Sequence, residues 1–430
     1  VFSLSFKNSC GCGEFYDLKV LGDWASITGQ NIIQILPIND TTSTHTWTDS
    51  YPYSGISVMA LHPIYINIPG IGPIKEKKAA ARYNKERKEL ENLDAVDYER
   101  VISLKNEMLK IQFETYKEDT WVEPAYLSFY KKNKTWLLPY AAFCTLRDKY
   151  NTSDFSNWGK ERKCSVSLIK RMISRRSEHY QTMLFHIFTQ YHLHKQLVET
   201  VQYLHSKRVI LKGDIPIGIT PNSADAWSFP ELFNFNQQAG APPDDFSKDG
   251  QNWGFPTYNW EKMEEDRFKW WKERLGKMSE YFDAYRIDHV LGFFRIWEIP
   301  QEHTQGIMGH FSPAISSQPS AVSSQLSASY ERLTKPYIRG HFLHEYFGEF
   351  TEEVREKYLN ETSFSYFELK EDFNTQRKIT DFFVNSQQTT DNGHKDEKIK
   401  NGLIALCAEV LFVEDKNGGL HPRIALQFTH

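Results

Sequence analysis

The chain has 430 residues, more than one average domain needs and enough for a single large barrel with insertions. Its formal net charge of -4 provides no chain-wide basic field for nucleic acid or an anionic membrane, and no apolar run is long enough to span a bilayer. Aromatic residues reach 14%, which suits a sugar binder, because pyranose rings have apolar faces that lie flat on aromatic rings; a large core uses them equally well.

Short apolar runs followed by helical stretches predict parallel strands and an α/β architecture. Asn31–Asn39 is the first predicted strand, closing on Asn39-Asp40-Thr41, and Pro63–Ile68 is the second. From Ile74 to Asp119 the chain is dense in Lys, Glu and Arg at helical spacing, which reads as a helical insertion with a solvated outer face. A long amphipathic helix is expected over Tyr180–Ser206, a third strand over Arg208–Ile217, a helix over Lys262–Phe282 and a fourth strand over Ala284–Val290. Residues 312–329, rich in Ser, read as a flexible loop, and Asn385–Asn401 as a second weakly ordered stretch. The cysteines (Cys10, Cys12, Cys144, Cys164 and Cys407) are odd in number and lack metal-ligand spacing, so reduced thiols of a cytoplasmic protein are expected. No signal peptide is recognisable, and the opening Val1-Phe-Ser without an initiator Met reads as an internal piece of a longer protein.

Three segments carry chemistry. In Tyr285-Arg286-Ile287-Asp288-His289, residues two apart share a strand face, so Arg286 can keep the Asp288 carboxylate ionised, as a nucleophile requires. The same spacing equally makes a structural ion pair. Gly213-Asp214-Ile-Pro-Ile217 sets a second carboxylate at a strand end, where barrel active sites are built; it could equally cap the next helix. Asp225 follows on the connecting segment. The stretch Ala239–Trp260 combines Gly and Pro with Asp244, Gln251, Trp253, Tyr258 and Trp260, and is expected to be a long irregular loop that holds hydroxyls and offers flat faces, with a structural Ω-loop as the alternative. His341-x-x-His344-Glu345 is not the zinc-binding order and reads as helix surface, and Gly11-Cys-Gly13 lacks the remainder of a dinucleotide fingerprint. No metal and no cofactor is therefore expected.

Gly213–Trp227, Ala239–Trp260, Tyr285–Phe293 and Trp297-Glu-Ile-Pro300 together resemble glycoside hydrolase family 77, the amylomaltases, and Gly11-Cys-Gly-Glu-Phe15, Leu36-Pro-Ile-Asn39 and Ser50-Tyr-Pro-Tyr-Ser54 agree. Within it, Ala60-Leu-His-Pro-Ile-Tyr65 and Pro336-Tyr-Ile-Arg-Gly-His-Phe342 look most like the eukaryotic type-2 disproportionating enzymes. The resemblance implies a (β/α)8 TIM barrel with helical insertions. Residues 1–300 would form the first half of that barrel, with a helical insertion at about 72–200, and 301–430 a family-specific insertion. It implies a retaining 4-alpha-glucanotransferase acting on maltose or malto-oligosaccharides, with glycogen or a soluble heteroglycan as acceptor. Asp288 matches the family's nucleophile, Arg286 its neighbour, and Asp214 an active-site Asp. Tyr53, Ser54, Asp244, Gln251, Trp253 and His289 match glucan-contacting positions, although Lys248 stands where bacterial relatives can carry Glu.

The family's acid/base Glu lies in a Glu-Asp-Leu-Gly motif and its second catalytic Asp in a His-Asp motif, and neither motif occurs in these 430 residues. Ala408-Glu409-Val-Leu411 lacks the continuation of the first, and Glu409 is not assigned the acid role. The sequence is thus expected to hold about half a barrel and one of three catalytic carboxylates, and to be inactive by itself. A catalytically inactive glucan-binding or scaffold protein and an α-glucan hydrolase are the alternatives.

Overall fold

Helix Tyr180–Ser206 forms where the sequence predicts it, because Met183, Ile187, Tyr191, Leu197, Val201 and Leu204 recur at helical spacing and bury one face. It ends when Arg208 takes a left-handed conformation (φ 60°), which turns the chain directly into a strand. In the computed structural model, residues 1–7, 9–313, 334–363, 365–386, 393–415 and 418–423 are described. The strands are β1 (Ile32–Gln34), β2 (Ile210–Ile215), β3 (Phe233–Ala241), β4 (Gln251–Tyr258), β5 (Ala284–Ile287), β6 (Ile296–Pro300), β7 (His310–Ser312), β8 (Ile338–Arg339), β9 (Leu359–Ser363), β10 (Tyr366–Leu369), β11 (Phe412–Glu414) and β12 (Leu420–Pro422). The chain divides into two compact units, 1–233 with 258–290, and 234–257 with 291–430, where the sequence reading drew a single line after residue 300. Among the described residues, no helix is long and apolar enough to cross a membrane.

In the first unit β1, β2 and β5 form a parallel sheet in the order β1-β2-β5, with Ile32 opposite Ile210 and Asp214 opposite Arg286. Parallel neighbours need crossover connections, and helices Tyr180–Ser206 and Lys269–Met278 lead into β2 and β5. The sheet therefore has three strands among the described residues rather than the four expected. The missing one is Pro63–Ile68, which opens as a 3-10 turn at Pro63–Tyr65. Its backbone groups are satisfied by side chains instead of a sheet ladder. Buried Lys105 donates to the carbonyls of Ile64 (2.5 Å) and Ile66 (2.9 Å) while pairing with Glu14 at 2.7 Å, and Gln196 both accepts from and donates to the Asn67 backbone. An apolar run cannot reveal such a substitution, because it shows burial and not the identity of the hydrogen-bond partner.

The insertion forms helices Lys77–Glu91, Tyr98–Val122, Pro124–Tyr150 and Val166–Met172, the last two around a core that includes Phe143, Trp158, Tyr191 and Trp227. The single helix expected over Lys262–Phe282 is two, Trp260–Glu265 and Lys269–Met278. Arg267 and Phe268 break it, both left-handed (φ 62° and 59°), and the Asp266 side chain accepts from the Lys269 N–H at 3.0 Å.

In the second unit the sheet order is β4-β3-β6-β7, with antiparallel pairs such as Gln238 opposite Ile299 and Trp297 opposite Phe311. Ala239–Trp260 thus contains the strand residues 239–241 and 251–258 of a β-hairpin, with the irregular connection 242–250 between them, which corrects the expected continuous long loop. Its alternating Asn, Gln and aromatic residues suit a ladder once β6 supplies a partner. Helices Gly340–Phe347, Thr351–Tyr358, Gln376–Ser386 and Gly393–Cys407 surround a core of Leu343, Phe347, Tyr358, Phe383 and Leu403. Much of the stretch expected to be weakly ordered, 393–401, is therefore helix, and 387–392 lie outside the described residues. The Ser-rich 314–329 also lie outside them. His341, His344 and Glu345 sit exposed on helix Gly340–Phe347, as expected.

Candidate active site

The carboxyl ends of β2 and β5 bring together four of the residues singled out from sequence. Asp214 is buried, with its side chain 0% exposed, and both of its oxygens are occupied. Arg286 donates from Nε to Oδ1 at 2.8 Å and from Nη2 to Oδ2, a bidentate pair between directly opposed residues of adjacent strands. The Tyr53 hydroxyl completes the group: it accepts from Arg286 Nη2 and donates to Asp214 Oδ2, each at 2.8 Å. Burial and the Asp214 hydrogen bond push the Tyr53 phenol up to about 12, and the pair with Asp214 raises the Arg286 guanidinium above its ordinary value.

Asp288 lies just beyond β5, where its N–H donates to the Ile215 carbonyl at 3.2 Å. Its carboxylate is 39% exposed and stands 3.9 Å from Arg286 Nη2. The two carboxylates therefore differ in kind: one is buried and fully engaged, the other is open to an incoming molecule beside a cation. His289 follows in a left-handed conformation (φ 49°), and burial lowers its pKa against the opposing pull of Asp288.

The surrounding chain holds Tyr53 in place. Ser54 closes a turn onto the Tyr51 carbonyl, the Gly55 carbonyl accepts from Thr220 N, and Ile56 is tied to both Asp40 and Ala224. Asp225 is buried, accepts from Val58 N (2.9 Å) and Trp270 Nε1 (3.2 Å), and is pushed up to about 6 by burial. It anchors this segment from beneath. Asp214 caps no helix; Ser223 does so, accepting from Ala226 N at 3.1 Å. Gly213 is required by packing, because a Cβ there would meet the Phe282 ring at 2.2 Å. The sequence pointed to Asp214 and Arg286 separately but not to their pairing, since parallel register between strands 72 residues apart leaves no local signal.

Asp244, Gln251 and Trp253 belong to the second unit. Asp244 Oδ1 accepts from the N–H groups of Phe246 (2.9 Å) and Ser247 (2.7 Å), so it shapes the turn of the hairpin. Trp253 Nε1 donates to Gln251 Oε1 at 3.0 Å, as expected of strand residues two apart on one face. Lys248 is exposed on the same connection. Glu409, also in this unit, accepts from the Tyr346 hydroxyl at 3.0 Å.

Comparison with known proteins places this geometry in context. Residues 1–394 match the family model described as 4-alpha-glucanotransferase, Glyco_hydro_77. The chain is 42% identical over 420 residues to 4-alpha-glucanotransferase DPE2 of Oryza sativa subsp. japonica, covering 96% of this chain and 44% of that protein. It is 36% identical over 303 residues to the 4-alpha-glucanotransferase of Chlamydia muridarum, covering 69% of this chain and 55% of the relative. The chain thus spans about half the length of these curated relatives. Among solved structures it is similar to the amylomaltase from Streptococcus agalactiae in complex with acarbose, at a TM-score of 0.61 and 25% identity, covering 73% of this chain and 63% of the other.

Proposed function

This chain belongs to the 4-alpha-glucanotransferases of glycoside hydrolase family 77, and on that premise we propose that it is an incomplete piece, inactive by itself, of an enzyme that transfers glucosyl units between α-1,4-glucans by a retaining double displacement. The observation that carries the reading is the contrast between Asp288, accessible beside a cation, and Asp214, buried and held by that same cation. Asp288 is the nucleophile. Its carboxylate attacks the anomeric carbon, the bond to the departing sugar breaks, and an acceptor hydroxyl later displaces the glucosyl ester with the same net stereochemistry. Arg286 sets a positive charge 3.9 Å from the Asp288 carboxylate. Asp214 acts through Arg286 as a positioning residue, and Tyr53 ties the two together.

The proton for the departing sugar comes from a group other than these four. Asp214 has both oxygens engaged, Arg286 holds its protons tightly, and the phenol of Tyr53 is committed to Asp214. Ser54 and His289 are binding residues of the first unit; in the second, Gln251 and Trp253 offer an amide and a flat ring to glucan, with Asp244 shaping the turn that carries them. The amylomaltase with bound acarbose supports malto-oligosaccharides as the substrate class. Within that class we propose maltose as donor and glycogen or a soluble heteroglycan as acceptor. Five free cysteines fit a reducing compartment, the cytoplasm.

The test is transfer from maltose to glycogen by the complete enzyme of which this chain is a piece, and by two variants of it. Asp288→Asn is expected to lower the rate by several orders of magnitude with unfolding unchanged, whereas a rate within tenfold of wild type removes Asp288 from the nucleophile role. Trp253→Ala is expected to raise free glucose relative to transferred glucosyl. An unchanged ratio leaves the hairpin a purely structural part.

A further inference from the structure

The second unit contains a cluster of metal-ligating side chains with no part in the reaction above. His310 lies on β7, Asp415 follows β11, and His421 lies on β12; one ligand atom from each falls within 4.8 Å of the others. His421 Nε2 is 2.9 Å from Asp415 Oδ2, and the rings of His310 and His421 stack with centroids 4.5 Å apart and planes 18° from parallel. The other oxygen of Asp415 accepts from Gly419 N at 2.7 Å, which fixes the direction of the carboxylate. Gly419 is needed for this approach, because a Cβ there would meet Asp415 Oδ2 at 2.6 Å. Glu298, buried on β6, brings a second carboxylate, with Oε2 4.0 Å from His310 Nε2 and Oε1 held by the Thr257 hydroxyl.

A histidine–aspartate ion pair accounts for only half of this arrangement. It involves His421 alone, and leaves unaccounted the second imidazole, His310, stacked on that ring and the buried Glu298 carboxylate beside it. Two neutral imidazoles and a carboxylate are instead a ligand set for a borderline-soft divalent cation, and a second carboxylate beside one imidazole is the partner that orients a metal-bound histidine. Zinc bonds of about 2.0–2.2 Å in a tetrahedron set ligand atoms about 3.3–3.5 Å apart, so movements on the order of an ångström close this trio around an ion.

We propose that His310, Asp415 and His421 form a zinc-type metal site that clamps the β11–β12 hairpin to β7 inside the second unit. Its role is structural: it cross-links two sheets, and Glu298 orients His310 from outside the ligand shell.

The chelator-treated native protein is titrated with zinc chloride by calorimetry, and metal retained after desalting is counted by mass spectrometry. One zinc per chain and a higher unfolding midpoint are expected, with affinity reduced at least tenfold in His421→Ala and in Asp415→Asn. Should the variants fold poorly, cobalt(II) added to the unaltered protein reads the same site, because tetrahedral cobalt absorbs visible light far more strongly than the aqueous ion. No stoichiometric zinc together with an aqueous-type cobalt spectrum overturns the proposal. So does zinc binding of equal affinity in the variants, which would place the ion on other residues.

Discussion

Arg286 grips Asp214 with two nitrogens while one of them stays 3.9 Å from Asp288. One guanidinium therefore serves two carboxylates at different depths. The buried carboxylate fixes its direction, and the exposed one receives its field. A cation held by a buried partner cannot swing away when substrate enters, so the field at Asp288 exists before binding, which is the preorganisation that favours transition-state charge.

Arg286→Ala leaves the Asp214 carboxylate buried without its cation. Breaking a fully buried pair costs about 3–5 kcal/mol, but Arg286 is 42% exposed, and solvent screening lowers the expected loss to about 1–3 kcal/mol. Asp214→Asn alone should cost a similar amount, and the double variant much less than the sum. Urea unfolding of the four proteins measures the coupling. Strict additivity would show that the two residues do not act as a unit.

Tyr53→Phe separates two roles of one ring. If Tyr53 only offers a flat face to sugar, phenylalanine serves equally well. The hydrogen bonds to Asp214 and Arg286 predict otherwise. A loss of about 1 kcal/mol in stability and about tenfold in kcat is expected, with KM for maltose nearly unchanged. A wild-type kcat would mean the hydroxyl does not position Arg286.

The same physics decides what could be read from the sequence. Helix Tyr180–Ser206 was legible because one buried face repeats at helical spacing, and β2 because a buried parallel strand is a short apolar run. Pro63–Ile68 has the same apolar signature, but Lys105, Gln112 and Gln196 replace the neighbouring strand, and no rule of periodicity reports that. The hairpin within Ala239–Trp260 was hidden for the opposite reason. Its Gly and Pro density reads as loop, whereas its partner β6 lies some distance on in sequence. Asp288, Arg286 and Asp214 were legible as candidates through motif and strand-end position. Their division of labour was not, because it depends on burial and register. His310 stands over a hundred residues from Asp415 and His421, so no spacing rule could collect that cluster.

Acid should destabilise the first unit through buried imidazoles. Burial pushes His192 down to about 3, and burial followed by the nearby Lys277 charge takes His194 down to about 4. Both folded values lie below the ordinary 6.5, so the unfolded chain binds more protons between them. Their contribution is present above pH 6.5 and is lost as pH falls toward 4, at about 1.4 kcal/mol per unit of pKa separation. Asp225, pushed up to about 6, works in the opposite direction over part of this range. The comparison is therefore between wild type and His192→Gln, whose amide can keep the Thr120 contact. The variant should lose less stability between pH 6.5 and 4. Parallel curves would show that His192 charges as readily folded as unfolded.

The most direct test of the account is to trap the covalent intermediate. The complete enzyme is incubated with a fluorinated glucosyl fluoride, which loses fluoride to form a fluoroglucosyl ester quickly and releases it slowly, and is then digested and sequenced by mass spectrometry. One added fluoroglucosyl mass is expected on the peptide containing Tyr285-Arg286-Ile287-Asp288, localised to the Asp288 carboxylate and absent in Asp288→Asn. A label on any other carboxylate, or the same label in the variant, would contradict the assignment of Asp288 as the nucleophile.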